Sequence, residues 1–144
     1  MSRKVIGITP GITATITVED SSDPTKWSVI ITGYYNNRYV HINLAGEEIF
    51  RFLWSLDPYC KKVLEEYVPK EYFDLAEKAK KDQWEAYEDR GGGIPLREGL
   101  TVLLDTSHRP PFVRFYGTLP GGFFEMRITG LVEIIKVALE LMRS

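Results

Sequence analysis

The chain has little of what several classes of protein need. It holds one cysteine, Cys60, which excludes an internal disulfide and a cysteine-rich zinc site. Its two histidines lie in separate segments and lack the spacing of a metal site. No apolar run reaches the roughly 18 residues of a transmembrane helix, and the N-terminal apolar stretch is too short for a signal peptide. We therefore expect a cytoplasmic protein without metal, cofactor or membrane partner.

Composition and charge fit one globular domain with an uneven surface. The 144 residues are 44% apolar and 26% charged, which is ordinary for a soluble protein. The net charge of −2 argues against a generic nucleic-acid coat. Residues 46–90, however, hold twelve acids and eight bases (net −4), whereas residues 26–44 and 106–128 together hold five bases and one acid (net +4). This asymmetry suggests a polyanionic partner, although such small counts also arise by chance.

Alternating apolar residues predict strands in two groups. Residues 12–19, ITATITVE, alternate strictly and indicate a half-buried strand. Residues 27–35 and 38–44 flank Asn36-Asn37, a pair that tolerates positive φ and predicts a tight hairpin turn. No internal repeat is evident. The second group of strands covers residues 100–105, 112–117 and 123–128.

The two-residue turn sets the register of the first hairpin. Tyr34 then lies opposite Tyr39, and Thr32 lies opposite His41. One face of the hairpin carries Val29, Ile31, Val40, Ile42 and Leu44, which suit a core. The other face carries Ile30, Thr32, Tyr34, Tyr39 and His41, which are uncharged and half aromatic.

Helical periodicity occupies the middle of the chain. Pro58 and Pro69 are each expected to end one helix and to begin the next. The third helix covers roughly residues 70–90 and ends at Gly91-Gly92-Gly93. The stretch GGGIPLREG lacks the features of a phosphate-binding loop, and we interpret it as a flexible connector.

The C-terminal helix, residues 129–143, has apolar side chains far beyond the stripe of about 100° that a surface helix buries. It is either sandwiched inside the fold or paired with a copy of itself. An a/d seam favours a homodimer, and it consists of Leu131, Ile135, Ala138 and Met142.

The order of these elements predicts an α+β fold, with an antiparallel β-sheet backed by helices and a C-terminal self-association helix. The prediction is a single domain over residues 1–144. Its parts are strands over 12–44, a helical segment over 45–93, strands over 99–128 and the final helix.

The segment RPPFVRFYGTLPGGFFEMRI, residues 109–128, has apolar side chains enough for both faces of a hairpin. Alternation places Val113, Phe115, Phe124, Met126 and Ile128 on a normal core face. The opposite face carries Phe112, Arg114, Tyr116, Phe123 and Arg127. Either helices cover this second face as core, or it meets a ligand; its arginines favour the ligand, because buried arginines need paired acids.

Aromatics interleaved with arginines suit single-stranded nucleic acid, whose bases stack on rings while cations hold the phosphates. Such stacking tolerates sequence, and nothing in the residues separates DNA from RNA. The expected stacking residues are Tyr34, Tyr39, Phe112, Tyr116 and Phe123. The expected phosphate contacts are Arg38, Arg109, Arg114 and Arg127, with His41 stacking or hydrogen-bonding.

The layout of the whole chain resembles the ThermoDBP and ThermoDBP-related proteins. The features that carry the resemblance are the hairpin WSVIITGYYNNRYVHINL, the helical middle, the segment 109–128 and the closing helix ITGLVEIIKVALELM. The resemblance is one of architecture, without a short diagnostic motif. It implies an archaeal, hyperthermophilic, single-stranded DNA-binding protein with an aromatic and basic cleft and a self-associating C-terminal helix.

Two other functions compete with nucleic-acid binding. Asp105, Ser107, His108 and Arg109 lie together after a strand and could suggest an enzyme. A catalytic triad is defined by geometry that residues so close in sequence rarely reach, and a loop in which Asp105 and Ser107 satisfy backbone donors is favoured. We therefore expect no catalysis. The second competitor is a dimeric protein-interaction module that uses the same aromatic face, because aromatics and arginine are enriched at protein interfaces.

Overall fold

The fold is α+β, with two antiparallel sheets of four strands each. The computed structural model describes residues 2–72, 74–75, 77, 94–117 and 123–143, and for 54–61, 63, 64 and 94 it describes the backbone alone. The elements are β1 (Ser2–Thr9), β2 (Ile12–Val18), β3 (Trp27–Tyr35), β4 (Arg38–Ala45), α1 (Gly46–Tyr67), β5 (Ile94–Arg97), β6 (Leu100–Asp105), β7 (Phe112–Gly117), β8 (Phe123–Arg127) and α2 (Ile128–Arg143).

The first sheet forms as its alternation predicts. Every second residue of β2 from Ile12 to Val18 is buried. Asn36 and Asn37 have φ of 50° and 63°, so they form the tight turn between β3 and β4. Tyr34 pairs with Tyr39 and Thr32 with His41, which confirms the predicted register. All five predicted core residues of this hairpin are buried.

The helices α1 and α2 pack between the two sheets. The inward sides of both sheets belong to one hydrophobic core. The helix α2 contacts β1 and β2 of the first sheet and β7 and β8 of the second, while α1 contacts β3, β4 and β5. The predicted α+β fold with antiparallel strands backed by helices is therefore confirmed, and the strands form two sheets. Because the helices lie on the inward sides, each sheet turns its other side away from the core.

The position of α2 corrects the predicted dimer seam. Leu131, Ile135 and Ala138 are at most 1% exposed within a single chain, and Met142 packs partly buried against the core. The first three residues are enclosed within their own chain, where α2 contacts both sheets, so they are not available to a second copy. The apolar excess of this helix thus comes from its being sandwiched, which was the other possibility. Whether the chain forms a dimer stays a prediction.

The structure changes three assignments along the chain. Residues 2–9 form β1, and residues 94–97 form β5 in place of the expected connector. The helix α1 continues through Pro58 to Tyr67 without the predicted break. Proline removes one backbone donor, and the helix tolerates this because its first turns are anchored by buried Ile49, Phe50 and Leu53.

Part of the predicted helical middle lies outside the described residues. Residues 70–72, 74, 75 and 77 are helical as expected, whereas the remainder of the third helix, its glycine end and the LPGG turn are not described. The side chain of Cys60 also lies outside that range. Tyr72 is fully buried and stacks on Phe50 with ring centroids 4.4 Å apart. Burial raises the pKa of the Tyr72 hydroxyl well above 10.0, and among the described residues it has no hydrogen-bond partner.

An ion pair fastens the first half of the chain to the second. Arg97 in β5 donates two hydrogen bonds to the buried Glu48 of α1, at 2.7 and 2.8 Å, and one to the carbonyl of Asn43 at 2.6 Å. Glu48 also accepts the backbone N–H of Ala45, which caps the start of α1. The Glu48 carboxylate therefore links α1 to β5 and, with them, the first half of the chain to the second.

The two halves repeat one structural unit. In each half, four strands pair antiparallel in chain order and a helix follows directly. The register also repeats: Ile12 lies opposite Gly33 in the first half, and Leu100 lies opposite Gly117 in the second. The expectation of no internal repeat was therefore wrong at the level of structure. Most equivalent core positions share apolar character but not identity, which hides the repeat in the sequence.

Four glycines mark the repeat. Gly33 has φ of 142° and Gly117 has φ of 132°. A Cβ at Gly33 would overlap the carbonyl oxygen of Gly11, and one at Gly117 would overlap that of Gly99. The same close approach of a turn to the third strand is thus built twice, and only glycine permits it.

Candidate nucleic-acid interface

The outward sides of both sheets expose aromatic rings. Among the described residues, the exposed large apolar side chains are Tyr34 (66% exposed), Tyr39 (47%), Tyr116 (37%), Phe123 (41%) and Val5 (58%). All four aromatics belong to the predicted stacking set, and the fifth member, Phe112, is half-buried. The helices in the described part of the chain therefore leave these rings exposed, and covering by helices was the alternative that the sequence left open.

Three rings of the first sheet lie in a row at the β3–β4 hairpin. The ring centroids of Tyr34 and Tyr39 are 5.9 Å apart in an edge-to-face arrangement. Tyr39 stacks on His41 with centroids 6.3 Å apart and an angle of 28°, and its hydroxyl lies 3.3 Å from His41 Nδ1. Mutual contact restricts the rotamers of these exposed rings, of which Tyr34 is 66% and Tyr39 47% exposed.

The rest of this side is uncharged over most of its area. We call it the first outer face; by alternation from the paired strands it consists of Arg3, Val5, Thr13, Thr15, Thr17, Ser28, Ile30, Thr32, Tyr34, Tyr39, His41 and Asn43. It contains no carboxylate, and Arg3 is its one formal charge at neutral pH. Sequence reasoning had noted the threonines but had missed the contribution of β1, whose alternation is weak.

The second outer face is the outward side of β6–β8. It consists of Thr101, Leu103, Asp105, Phe112, Arg114, Tyr116, Phe123, Glu125 and Arg127. Tyr116 stacks on Phe123 with centroids 6.2 Å apart. The guanidinium of Arg127 lies 5.2 Å from the ring centroid of Phe112, in a cation–π contact. The five residues that alternation assigned to the second face of segment 109–128 therefore lie together on one surface.

The positive charge of the second outer face is largely neutralised by its own acids. Arg114 donates to Glu125 at 2.7 Å and lies 2.9 Å from Asp105. The hydrogen bond to Glu125 is the main reason that the pKa of Arg114 is raised. In the loop before β7, Arg109 pairs with Glu66 at 3.3 Å. The sequence analysis did not predict these ion pairs, because Asp105 and Glu125 lie on strands next to that of Arg114 and Glu66 is far from Arg109 in the chain.

The remaining predicted cations are exposed. Arg38 begins β4 next to Tyr39, but its position opposite Tyr35 places it on the side of Val40 and not on the first outer face. Arg127 has no carboxylate partner within the part of the chain that the structure describes.

Tyr35 joins the two sheets and was not anticipated as a site residue. Its ring meets that of Phe124 edge to face at 5.3 Å, and its hydroxyl donates to Glu125 at 3.4 Å. Burial, followed by the charge of Glu125, raises the pKa of Tyr35. This contact sets the tip of the first hairpin against the second sheet.

The loop after β6 has the geometry of a turn. Asp105 accepts the backbone N–H of Ser107 at 2.9 Å and its hydroxyl at 2.5 Å, as the loop interpretation predicted. The Ser107 hydroxyl is thus directed to the carboxylate, while His108 Nε2 lies 3.9 Å from the other carboxylate oxygen. The order serine–aspartate–histidine differs from a nucleophilic triad, in which histidine contacts the serine.

We expect Asp105→Asn to lower the unfolding free energy more at neutral than at acid pH. The Ser107 hydroxyl, followed by its backbone N–H, holds the pKa of Asp105 below 3.8. The contribution of the carboxylate is therefore present above that pH and is lost as the pH falls through the lower, folded value. Urea denaturation of both proteins at neutral pH and at about pH 2.5 measures the difference.

Ser107→Ala is the control for this pH dependence. Ser107→Ala removes the largest cause of the lowered pKa of Asp105. When Asp105→Asn is introduced into the Ser107→Ala protein, its effect on the unfolding free energy should therefore depend less on pH. A destabilisation by Asp105→Asn that is equal at both pH values would contradict the account.

Other site types are not seen among the described residues. No group of three or more histidine, cysteine, aspartate or glutamate side chains there could hold a metal ion. No helix in that part of the chain is long and apolar enough to cross a membrane.

No protein-family model matches the chain, and neither a curated protein nor a solved structure matches it. The relationship to the ThermoDBP-related proteins therefore stays a prediction, and function has to be argued from the two outer faces.

Proposed function

We propose that this protein binds single-stranded nucleic acid, with little sequence preference, on its first outer face. The observation that carries the proposal is the exposed row Tyr34–Tyr39–His41, set on a face without carboxylates. Tyrosine rings stack on bases of any sequence, each base contributing about 1–3 kcal/mol. The proposal places the protein in the cytoplasm, where it would meet single strands.

The second outer face is not part of this proposal, although its residues stay predictions from the sequence. A phosphate arriving at Arg114 would compete with Glu125 and Asp105, which already hold that guanidinium. It would also approach two carboxylates, which repel it. The predicted phosphate contacts of Arg109, Arg114 and Arg127 and the stacking of Phe112, Tyr116 and Phe123 therefore have weaker electrostatic support.

The same pairing favours a second candidate, a protein-interaction surface on the second outer face. Arg114 and its two acids form a neutral network between exposed rings, and aromatics with arginine are typical of the centres of protein interfaces. The net charge of −2 also suits a protein partner better than a polyanion. This candidate differs from the first in its response to salt, because only phosphate contacts release counterions.

Fluorescence anisotropy of a labelled oligothymidine, at two salt concentrations and beside a matching duplex, tests the proposal. We expect binding of the single strand that weakens as salt rises, with little binding of the duplex. Tyr34→Ala combined with Tyr39→Ala should weaken it by about 25-fold or more, from two lost stacking contacts. Tyr34→Phe with Tyr39→Phe should retain binding, since the rings remain.

Tyr116→Ala combined with Phe123→Ala is the matched control, because it removes two exposed rings from the equivalent hairpin of the second half. A loss of affinity in this control and not in the tyrosine variant would move the site to the second outer face. No binding by wild type at low salt would overturn the nucleic-acid proposal, and salt-independent capture of a protein would support the second candidate.

A further inference from the structure

The first outer face is continuous beyond its aromatic row. The register places His41, Thr32 and Thr13 side by side on successive strands, and Asn43, Ile30 and Thr15 in the next row. Ser28, Thr17 and Arg3 form the row after that. All of these side chains are exposed or half-buried. These rows are mostly polar, with Ile30 and Val5 as the apolar members of the second, and they lead from the tyrosines across the sheet to β1.

The second half of the chain carries charged residues at positions that are neutral on the first outer face. The equivalents of Ile30 and Asn43 in the second half are Arg114 and Glu125, because Gly117 takes the place of Gly33 and each pair lies opposite one another on the third and fourth strands. The second half therefore fills these two outward positions with charges that pair with each other. The first half leaves the same positions neutral and free of carboxylates.

We propose that the single strand follows a track over the whole first outer face, from the Tyr34–Tyr39 pair across Thr13, Thr15 and Thr17 to Arg3. This inference rests on the proposed function and adds binding residues to it. Threonine, serine and asparagine side chains donate and accept hydrogen bonds, so they meet base edges and sugar oxygens along the path. Arg3 holds a phosphate at the far end.

Charge complementarity is the argument for this occupant. A bound strand carries one negative charge per nucleotide, and a carboxylate close to its path would repel it even through water. The twelve residues of the face include none, and its formal charge comes from Arg3.

The track sets a length for the bound strand. Six residues along a strand and three strand spacings give a diagonal of about 25 Å. At the 3.4 Å rise of a stacked strand, this corresponds to about seven nucleotides. A site restricted to the tyrosine row would hold two or three bases. Affinity should therefore rise at least about tenfold between an oligothymidine trimer and an octamer and then level off.

The first test adds one negative charge to each outer face. Thr13→Glu should weaken binding of the octamer about fivefold or more at low salt. Thr101 occupies the equivalent position of the second half, because it lies opposite Tyr116 as Thr13 lies opposite Thr32. Thr101→Glu changes the net charge by the same amount as Thr13→Glu does. Its affinity for the octamer should stay within about twofold of wild type. Circular dichroism of both variants confirms the fold.

The second test removes one positive charge from each side of β1. Arg3→Gln should weaken binding of the octamer and lower the slope of log affinity against log salt by about 1. Lys4 is its neighbour on the strand and has the opposite orientation. Lys4→Gln should leave that slope unchanged.

The outcomes separate this inference from the proposed function. Loss of binding in the tyrosine variant alone, with Thr13→Glu and Arg3→Gln binding as wild type does, would confine the site to the hairpin tip. A trimer that binds as well as an octamer would agree with that result, and together they would overturn the track. If wild type fails to bind any single strand, the proposed function is overturned and the track with it. Weakening by Thr13→Glu and by Arg3→Gln, with both controls unaffected, supports the track.

Discussion

Gly33→Ala is expected to destabilise the protein by about 3 kcal/mol or more. The residue has φ of 142°, which costs an alanine about 1–3 kcal/mol. Its Cβ would also overlap the carbonyl oxygen of Gly11, so the turn between β1 and β2 has to shift. Forcing atoms into a packed site typically costs a further 1–3 kcal/mol or so. The midpoint of urea denaturation measures the loss.

Gly7→Ala is the matched control for this result. Gly7 lies in β1, and a Cβ there would have no atom within 4 Å. Alanine should therefore be tolerated at Gly7, with a change within about 0.5 kcal/mol or a slight gain. By the repeat, Gly117→Ala should behave as Gly33→Ala does. Equal stability of Gly33→Ala and wild type would contradict the close approach of the turn to β3.

Ile135→Ala is expected to lower the unfolding free energy by about 2–5 kcal/mol without changing the molecular mass in solution. Ile135 is fully buried between the two sheets, so its truncation leaves a cavity in the core of one chain. Urea denaturation gives the stability, and light scattering gives the mass of wild type and variant at the same concentration.

The exposed Lys136 on the same helix provides the control, since Lys136→Ala should leave both quantities nearly unchanged. The predicted dimer seam leads to the opposite result for Ile135→Ala: a fall in mass with little loss of stability in the separated chain. That outcome would restore a role for α2 in self-association.

The strands that carry strong alternation could be located from the sequence. In β2, β3 and β4, apolar and polar residues alternate with period two, and Asn36-Asn37 specifies a two-residue turn, so faces and register follow from local chemistry. The same reasoning assigned Val113, Phe115, Phe124 and Met126 to the core. The exposed rings of the candidate site followed directly, as the residues left over.

Elements with weak local signals could not be located in this way. The strand β1 is an edge strand with mostly exposed side chains, and β5 has four residues, so neither shows a clear alternation. At Pro58 the local rule for proline predicted a break, but the anchoring of α1 in the core outweighed one missing hydrogen bond.

The electrostatics of the candidate site also depended on distant parts of the chain. Counting charges in residues 106–128 gave an excess of arginine, because Asp105 and Glu66 lie outside that range. In three dimensions Asp105 and Glu125 hold Arg114, and Glu66 holds Arg109. The surface that looked more basic in sequence is thus neutralised, and the proposal moves to the hairpin with Tyr34 and Tyr39.

The sequence alone was sufficient for the α+β class, for the side of each alternating strand that meets the core and for the identity of the exposed rings, because these depend on interactions between near neighbours. Only the tertiary structure decided that there are two sheets, that α2 is enclosed between them and that the chain repeats one unit of four strands and a helix. Those features arise from packing and ion pairs between residues far apart in the chain. No local sequence pattern shows which of these distant residues will meet.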